Sequence, residues 1–146
     1  MDTRQFFERW ITAMNELDFA AIETMVHPDF VAFYPQSGER FRGFASFRAQ
    51  LENYPGGLTR DSADREHADI VETDERWAIS PAFTVVPLTQ PGRYTTITRI
   101  GYPDGTQWRT VTLVELRDNK VYRAESYFAP ELPAPLATSI PSYGRQ

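Results

Sequence analysis

The order of hydrophobic periods predicts an α+β fold: three N-terminal helices packed against a strongly curved antiparallel sheet. Three observations carry this. Apolar residues in the first third recur every three or four positions. After about residue 66 the period switches to two. Turn signals then punctuate the chain at short intervals, which makes adjacent strands antiparallel. The whole chain has 146 residues, one domain's worth.

Each element has its own signal. Phe6, Phe7, Trp10, Ile11, Met14 and Leu17 form one apolar helical stripe. Asp18 is placed to cap a short second helix with Ile22 and Met25 inward, and Pro28 is expected to stop it. Phe30 to Tyr34 reads as a short aromatic strand, ended by Pro35 and a Gln36-Ser37-Gly38 turn. A third helix follows Gly43, with Phe44, Phe47, Leu51 and Tyr54 on one side, and Pro55-Gly56-Gly57 ends it. Strands are predicted over 66–73, 77–88, 93–102, 106–117 and 120–128. Asp104-Gly105 is a strong hairpin signal between two of them. The domain is read as 1–130. Residues 131–146, with Pro133, Pro135 and Pro141, read as an extended proline-rich tail.

Composition excludes several functions. Twenty acidic against fifteen basic residues give a net charge of −5, and the bases are scattered, so no nucleic-acid surface is expected. No apolar run approaches the ~20 residues of a membrane helix, and the N-terminus does not read as a signal peptide. A cytoplasmic protein with no membrane partner is the expectation. There is no cysteine, which removes disulfides and thiolate chemistry. His27 and His67 are the only imidazoles and form no HExxH, so no metal is expected. Nucleotide-binding glycine motifs and the GxSxG elbow are absent, so no cofactor is expected. Aromatics make up 14% of the chain, which suits the lining of a cavity between sheet and helices.

Four segments carry a family resemblance. They are Phe6 to Asn15 followed by Asp18; His27-Pro28-Asp29-Phe30; Gly43-Phe44-Ala45-Ser46-Phe47; and Asp118-Asn119-Lys120-Val121 with Ser126-Tyr127-Phe128. Over about residues 3–130 the chain resembles the nuclear transport factor 2-like superfamily, in its SnoaL-like branch. The resemblance implies a cone-shaped α+β domain and a homodimer. It says little about chemistry, because the fold hosts isomerases, cyclases, hydrolases, dehydratases and pure binding modules.

The resemblance also implies where acid/base groups would stand, and this chain departs at each position. The ketosteroid isomerase pattern places a tyrosine where Trp10 stands, an aspartate before proline at Tyr34-Pro35, and a protonated aspartate at Thr112. The epoxide hydrolase pattern keeps its arginine as Arg99 but has Gly101 and Ser126 in place of its aspartates. The cyclase aspartate also falls at Ser126. An indole is no match for a phenol's acidity, and a tyrosine is a poor base at neutral pH.

The expected ligand is therefore a small hydrophobic or aromatic molecule held in the cone, with or without cofactor-free acid/base chemistry. Trp10, Tyr34, Arg99, Trp108, Thr112 and Ser126 are the candidate ligand-binding residues; no catalytic residue is assigned. Each has a plainer alternative. Trp10 suits a helix core, and Tyr34 a strand end with its tip in water. Trp108, Thr110, Thr112, Val114 and Leu116 share one strand face, polar toward one end. Arg99 shares a face with Ile97; inside the cone it would hold an anionic group, outside it is a surface arginine. His67 and Glu125 are the remaining candidates for a base. The alternative function is a non-catalytic subunit or dimerisation module whose cone is packed shut.

Overall fold

A computed structural model describes residues 2–54 and 75–132. Helix α1 (Thr3–Glu16) starts at Asp2, whose carboxylate accepts from the Gln5 amide while the Gln5 side chain accepts from the Asp2 amide. This reciprocal cap satisfies two otherwise orphaned donors. Leu17 takes a left-handed conformation (φ 53°) and ends the helix. Asp18 then caps α2 (Phe19–Thr24) through the Ala21 amide at 3.1 Å, as the sequence suggested.

Strand β1 (Val26–Tyr34) begins four residues before the expected Phe30. Pro28 therefore does not stop the helix; it lies inside a strand. Without an N–H it cannot complete a ladder, and the register slips between Val26 and Val31. His27 accordingly sits on β1, its Nδ1 accepting from the Asp29 amide at 3.0 Å. A turn with Gly38 at φ 80° leads to β2 (Glu39–Arg42), which was not predicted. Helix α3 (Gly43–Glu52) follows directly.

The remaining strands are β3 (Trp77–Ser80), β4 (Phe83–Pro87), β5 (Arg93–Gly101), β6 (Gln107–Arg117) and β7 (Lys120–Pro130). The single strand expected over 77–88 is split at Pro81-Ala82. The strand expected over 66–73 lies outside the described residues, as does most of the tail. Asp118 and Asn119, both at positive φ, close the β6–β7 hairpin.

The strands form one sheet in the order β2-β1-β7-β6-β5-β4-β3. Neighbours are antiparallel except β1 and β7, which run parallel. The sheet is curved and unclosed, with the helices against one face. Phe7, Ile22, Phe30 and Val85 are essentially fully buried between the layers. Removing such side chains from water stabilises the fold by about 1.5–3 kcal/mol each. Phe7 meets Tyr94 edge-on at 5.2 Å, and Phe30 meets Phe47 at 5.4 Å, tying α1 and α3 to the sheet.

Candidate functional site

The strand register decides which side chains face the helices. Thr98 pairs with Thr110, and Thr110 with Phe128. One step along the strands, Thr96 pairs with Thr112, and Thr112 with Ser126. Side chains two residues apart share a face, so these rungs lay a belt of hydroxyls across β5, β6 and β7. Val114 and Ala124 make the next, apolar rung. Opposite the belt, α1 supplies Phe7, Trp10, Ile11 and Met14, and α3 supplies Phe47, Gln50 and Leu51. The two layers enclose a chamber of about 200 Å³.

The chamber shares Tyr34, Gln50, Tyr54, Tyr102 and Phe128 with a wider outer cavity of about 800 Å³. Three phenols thus stand where the two spaces meet. Tyr54 and Tyr102 stack at 5.6 Å with their planes 8° apart, and Tyr34 meets Phe128 edge-on at 5.0 Å. Burial and the nearby Glu39 and Tyr54 push the Tyr34 phenol up to about 12, against a weaker opposing pull from Gln50. Burial and Tyr54 push Tyr102 further still. At neutral pH both are protonated and available as hydrogen-bond donors, not bases.

The chamber's polar groups are unequally satisfied. Thr112 and Ser126 bond to each other at 2.8 Å. Thr110 is 8% exposed, yet its Oγ1 has no hydrogen-bond partner. Among the described lining residues there is no carboxylate, imidazole, ammonium or guanidinium. No group of three or more histidine or acidic residues able to hold a metal occurs among the described residues.

The SnoaL-like domain pattern matches residues 7–124. The chain belongs to this family. Solved structures similar to this SnoaL-like protein share the fold at low identity. A nuclear transport factor 2-like protein of unknown function from Burkholderia xenovorans LB400 is 24% identical, with TM-score 0.61, over 95% of this chain and 88% of that one. A protein from Kribbella flavida DSM 17836, provisionally assigned as a ketosteroid isomerase, is 19% identical (TM-score 0.62, 90% and 82% covered). A Shewanella putrefaciens CN-32 protein, provisionally assigned as a SnoaL-like polyketide cyclase, is 14% identical (TM-score 0.54, 88% and 91% covered). No curated protein matches the sequence.

Of the six candidate residues in this SnoaL-like domain, Trp10, Tyr34, Thr112 and Ser126 line the inner chamber. Trp108 lies further out. It lines the outer cavity, donates its indole N–H to Thr106 Oγ1 at 2.9 Å and meets Tyr102 edge-on. Arg99 does not join them. Thr98 and Ile100 take the inward positions of β5, so alternation turns Arg99 to the opposite face of the sheet. There its guanidinium bonds Glu131 at 3.2 Å, beside Arg109. Arg99 is among the described lining residues of neither cavity.

Glu125 also faces away from the chamber, accepting from the Tyr127 hydroxyl at 3.0 Å. His67 lies outside the described residues. The sequence reading missed Gln50, Tyr54 and Tyr102 as site residues. Tyr54, expected on the third helix, lies just beyond the end of α3. Nothing in the sequence distinguished Gln50 from a solvent-facing helical glutamine.

Proposed function

We propose that this protein binds a small, uncharged, largely apolar or aromatic molecule in the chamber between helices and sheet. The carrying observation is the chamber's wall: an aromatic and aliphatic roof above a floor of hydroxyls, with no ionic group among the described lining residues. An apolar cavity with a few convergent polar groups is the usual form of a small-molecule site. A charged ligand would lose its hydration there and gain no counter-ion. The mouth disfavours anions as well, since its described ionic residues, Glu39 and Asp104, are both acidic.

Acid/base turnover has less support than binding. The phenols at the neck hold their protons, and the outward Glu125 is out of reach. The packed-shut subunit is disfavoured by the open space itself. A homodimer through the outer sheet face accompanies this reading. That face exposes Leu113 (43%) beside Leu88, Arg93 and Arg123, and sedimentation equilibrium tests it.

Thermal-shift titration tests the binding reading. Neutral one- and two-ring aromatics should raise the melting temperature in proportion to the logarithm of their concentration, and aromatic acids of equal size should not. A shift confined to the acids, or none at concentrations far above plausible affinities, overturns it.

A further inference from the structure

We propose that the outer cavity is a second binding site, for an alkylated ammonium group held by aromatic rings and carboxylates together. This site goes beyond the binding reading above and does not depend on what the inner chamber holds.

Much of the cavity wall is made of rings. Five aromatic residues line it: Tyr34, Tyr54, Tyr102, Trp108 and Phe128. Tyr54 lies flat on Tyr102, with centroids 5.6 Å and planes 8° apart. Trp108 stands at 84° to Tyr102, with centroids 6.1 Å apart. A stacked pair and a ring at a right angle to it make two walls of a corner. Such walls attract cations, because the face of an aromatic ring carries negative potential.

Turn and strand register then set an acid beside two of these rings. The Trp108 indole N–H donates to Thr106 Oγ1 at 2.9 Å, and Thr106 donates both its hydroxyl and its amide to Asp104 Oδ1. These bonds fix the Asp104 carboxylate next to the start of β6. They also hold it below the usual carboxylate range, so it is charged at neutral pH. Glu39 stands directly opposite Tyr34 in the β1–β2 ladder, and opposed residues share a face. The chain has fifteen lysines and arginines, yet none is among the described lining residues, and neither is a histidine. Those residues therefore supply ring surface and negative charge without a competing cation.

Size and hydration select the ligand class. The cavity measures about 800 Å³, so only a bulky cation touches rings and carboxylates together. A primary ammonium is compact and strongly hydrated. Cation–π attraction grows as the cation loses its water. Alkyl groups weaken that hydration and put methyl surface against the rings. An anion would be repelled by both carboxylates.

Two indoles serve as separate reporters, since Trp108 lines only the outer cavity and Trp10 only the inner chamber. Two-dimensional NMR on the full chain follows both N–H signals at constant ionic strength. The probes are choline, ethanolamine and the neutral alcohol in which tert-butyl replaces choline's trimethylammonium. Choline should shift Trp108 saturably and leave Trp10 unmoved. It should bind about tenfold more tightly than either other probe, the ratio expected of a largely desolvated cation–π contact. Asp104→Asn removes the charge but keeps the oxygen that accepts from Thr106. Combined with Glu39→Gln, it should weaken choline about three- to tenfold and leave the neutral alcohol unchanged. Choline affinity no better than that of the other probes, or unaltered in the double variant, overturns the proposal. So does the lack of a saturable shift at Trp108. Binding of an apolar ring is read at Trp10, so failure of this site leaves the chamber reading standing.

Discussion

Replacing Thr112 by valine and Ser126 by alanine, singly and together, measures whether the chamber floor is held by its own hydroxyl pair. The two oxygens are 2.8 Å apart on adjacent strands, and Ser126 is 8% exposed. Either single change removes one partner and strands the other. An intramolecular hydrogen bond contributes about 0.5–1.5 kcal/mol net, and a stranded buried group costs about 1–3 kcal/mol. The double variant removes both groups and strands neither. Its cost should therefore fall short of the sum of the singles by about 1 kcal/mol. Urea titration resolves this, since 1 kcal/mol moves a midpoint by roughly 0.3–1 M at the slopes typical of small domains. Additivity within about 0.3 kcal/mol would refute the reasoning. It would mean that water filling the chamber replaces the lost partner in each single variant.

Other predictions follow from the same geometry. The Tyr34 phenol is raised to about 12 from an unfolded value of 10.0, so its contribution to stability is complete below pH 10 and is lost as pH climbs through about 12. Tyr34→Phe should flatten the fall in stability across that window; superimposable alkaline profiles would contradict the burial assigned to Tyr34. Arg99→Leu should leave affinity for neutral ligands within twofold of wild type while removing the ion pair to Glu131, at a cost of about 1 kcal/mol by chemical denaturation. A large affinity loss would place the guanidinium inside after all. Phe30→Ala, which empties a site 1% exposed against Phe47, should cost about 3–5 kcal/mol by urea titration. A loss below about 1 kcal/mol would show that α3 does not pack there as described.

The helices were legible in the sequence because a helix buries one stripe, and Phe6, Phe7, Ile11 and Met14 write that stripe plainly. The long strands were legible by alternation and by Asp104-Gly105 and Asp118-Asn119 at their turns. Strand β2 was not, because four residues with one apolar member carry no period. Pro28 misled because a proline usually ends a helix, whereas here it interrupts a ladder.

The site was half legible for a related reason. Alternation sorts a strand into two faces but does not say which is inside. On β5 alternation left the side of Ile97 and Arg99 open, in the cone or out of it. The threonines Thr96 and Thr98 are inside instead, because this interior encloses a hydroxyl-lined space and not only a packed core. Thr112 and Ser126 were legible through the family resemblance, and the strand register sets them opposite each other on β6 and β7. Gln50 and Tyr102 reach the neck through the packing of α3 over the sheet, a long-range fact no local pattern encodes.

The most direct measurement is a two-dimensional NMR titration of the protein with toluene. The account predicts saturable shifts concentrated on the Trp10 indole and on Thr98, Thr110 and Thr112, with the outer-face residues Leu113 and Glu125 unmoved. Shifts confined to the outer face, or none at saturation with toluene, would contradict a ligand-receptive chamber.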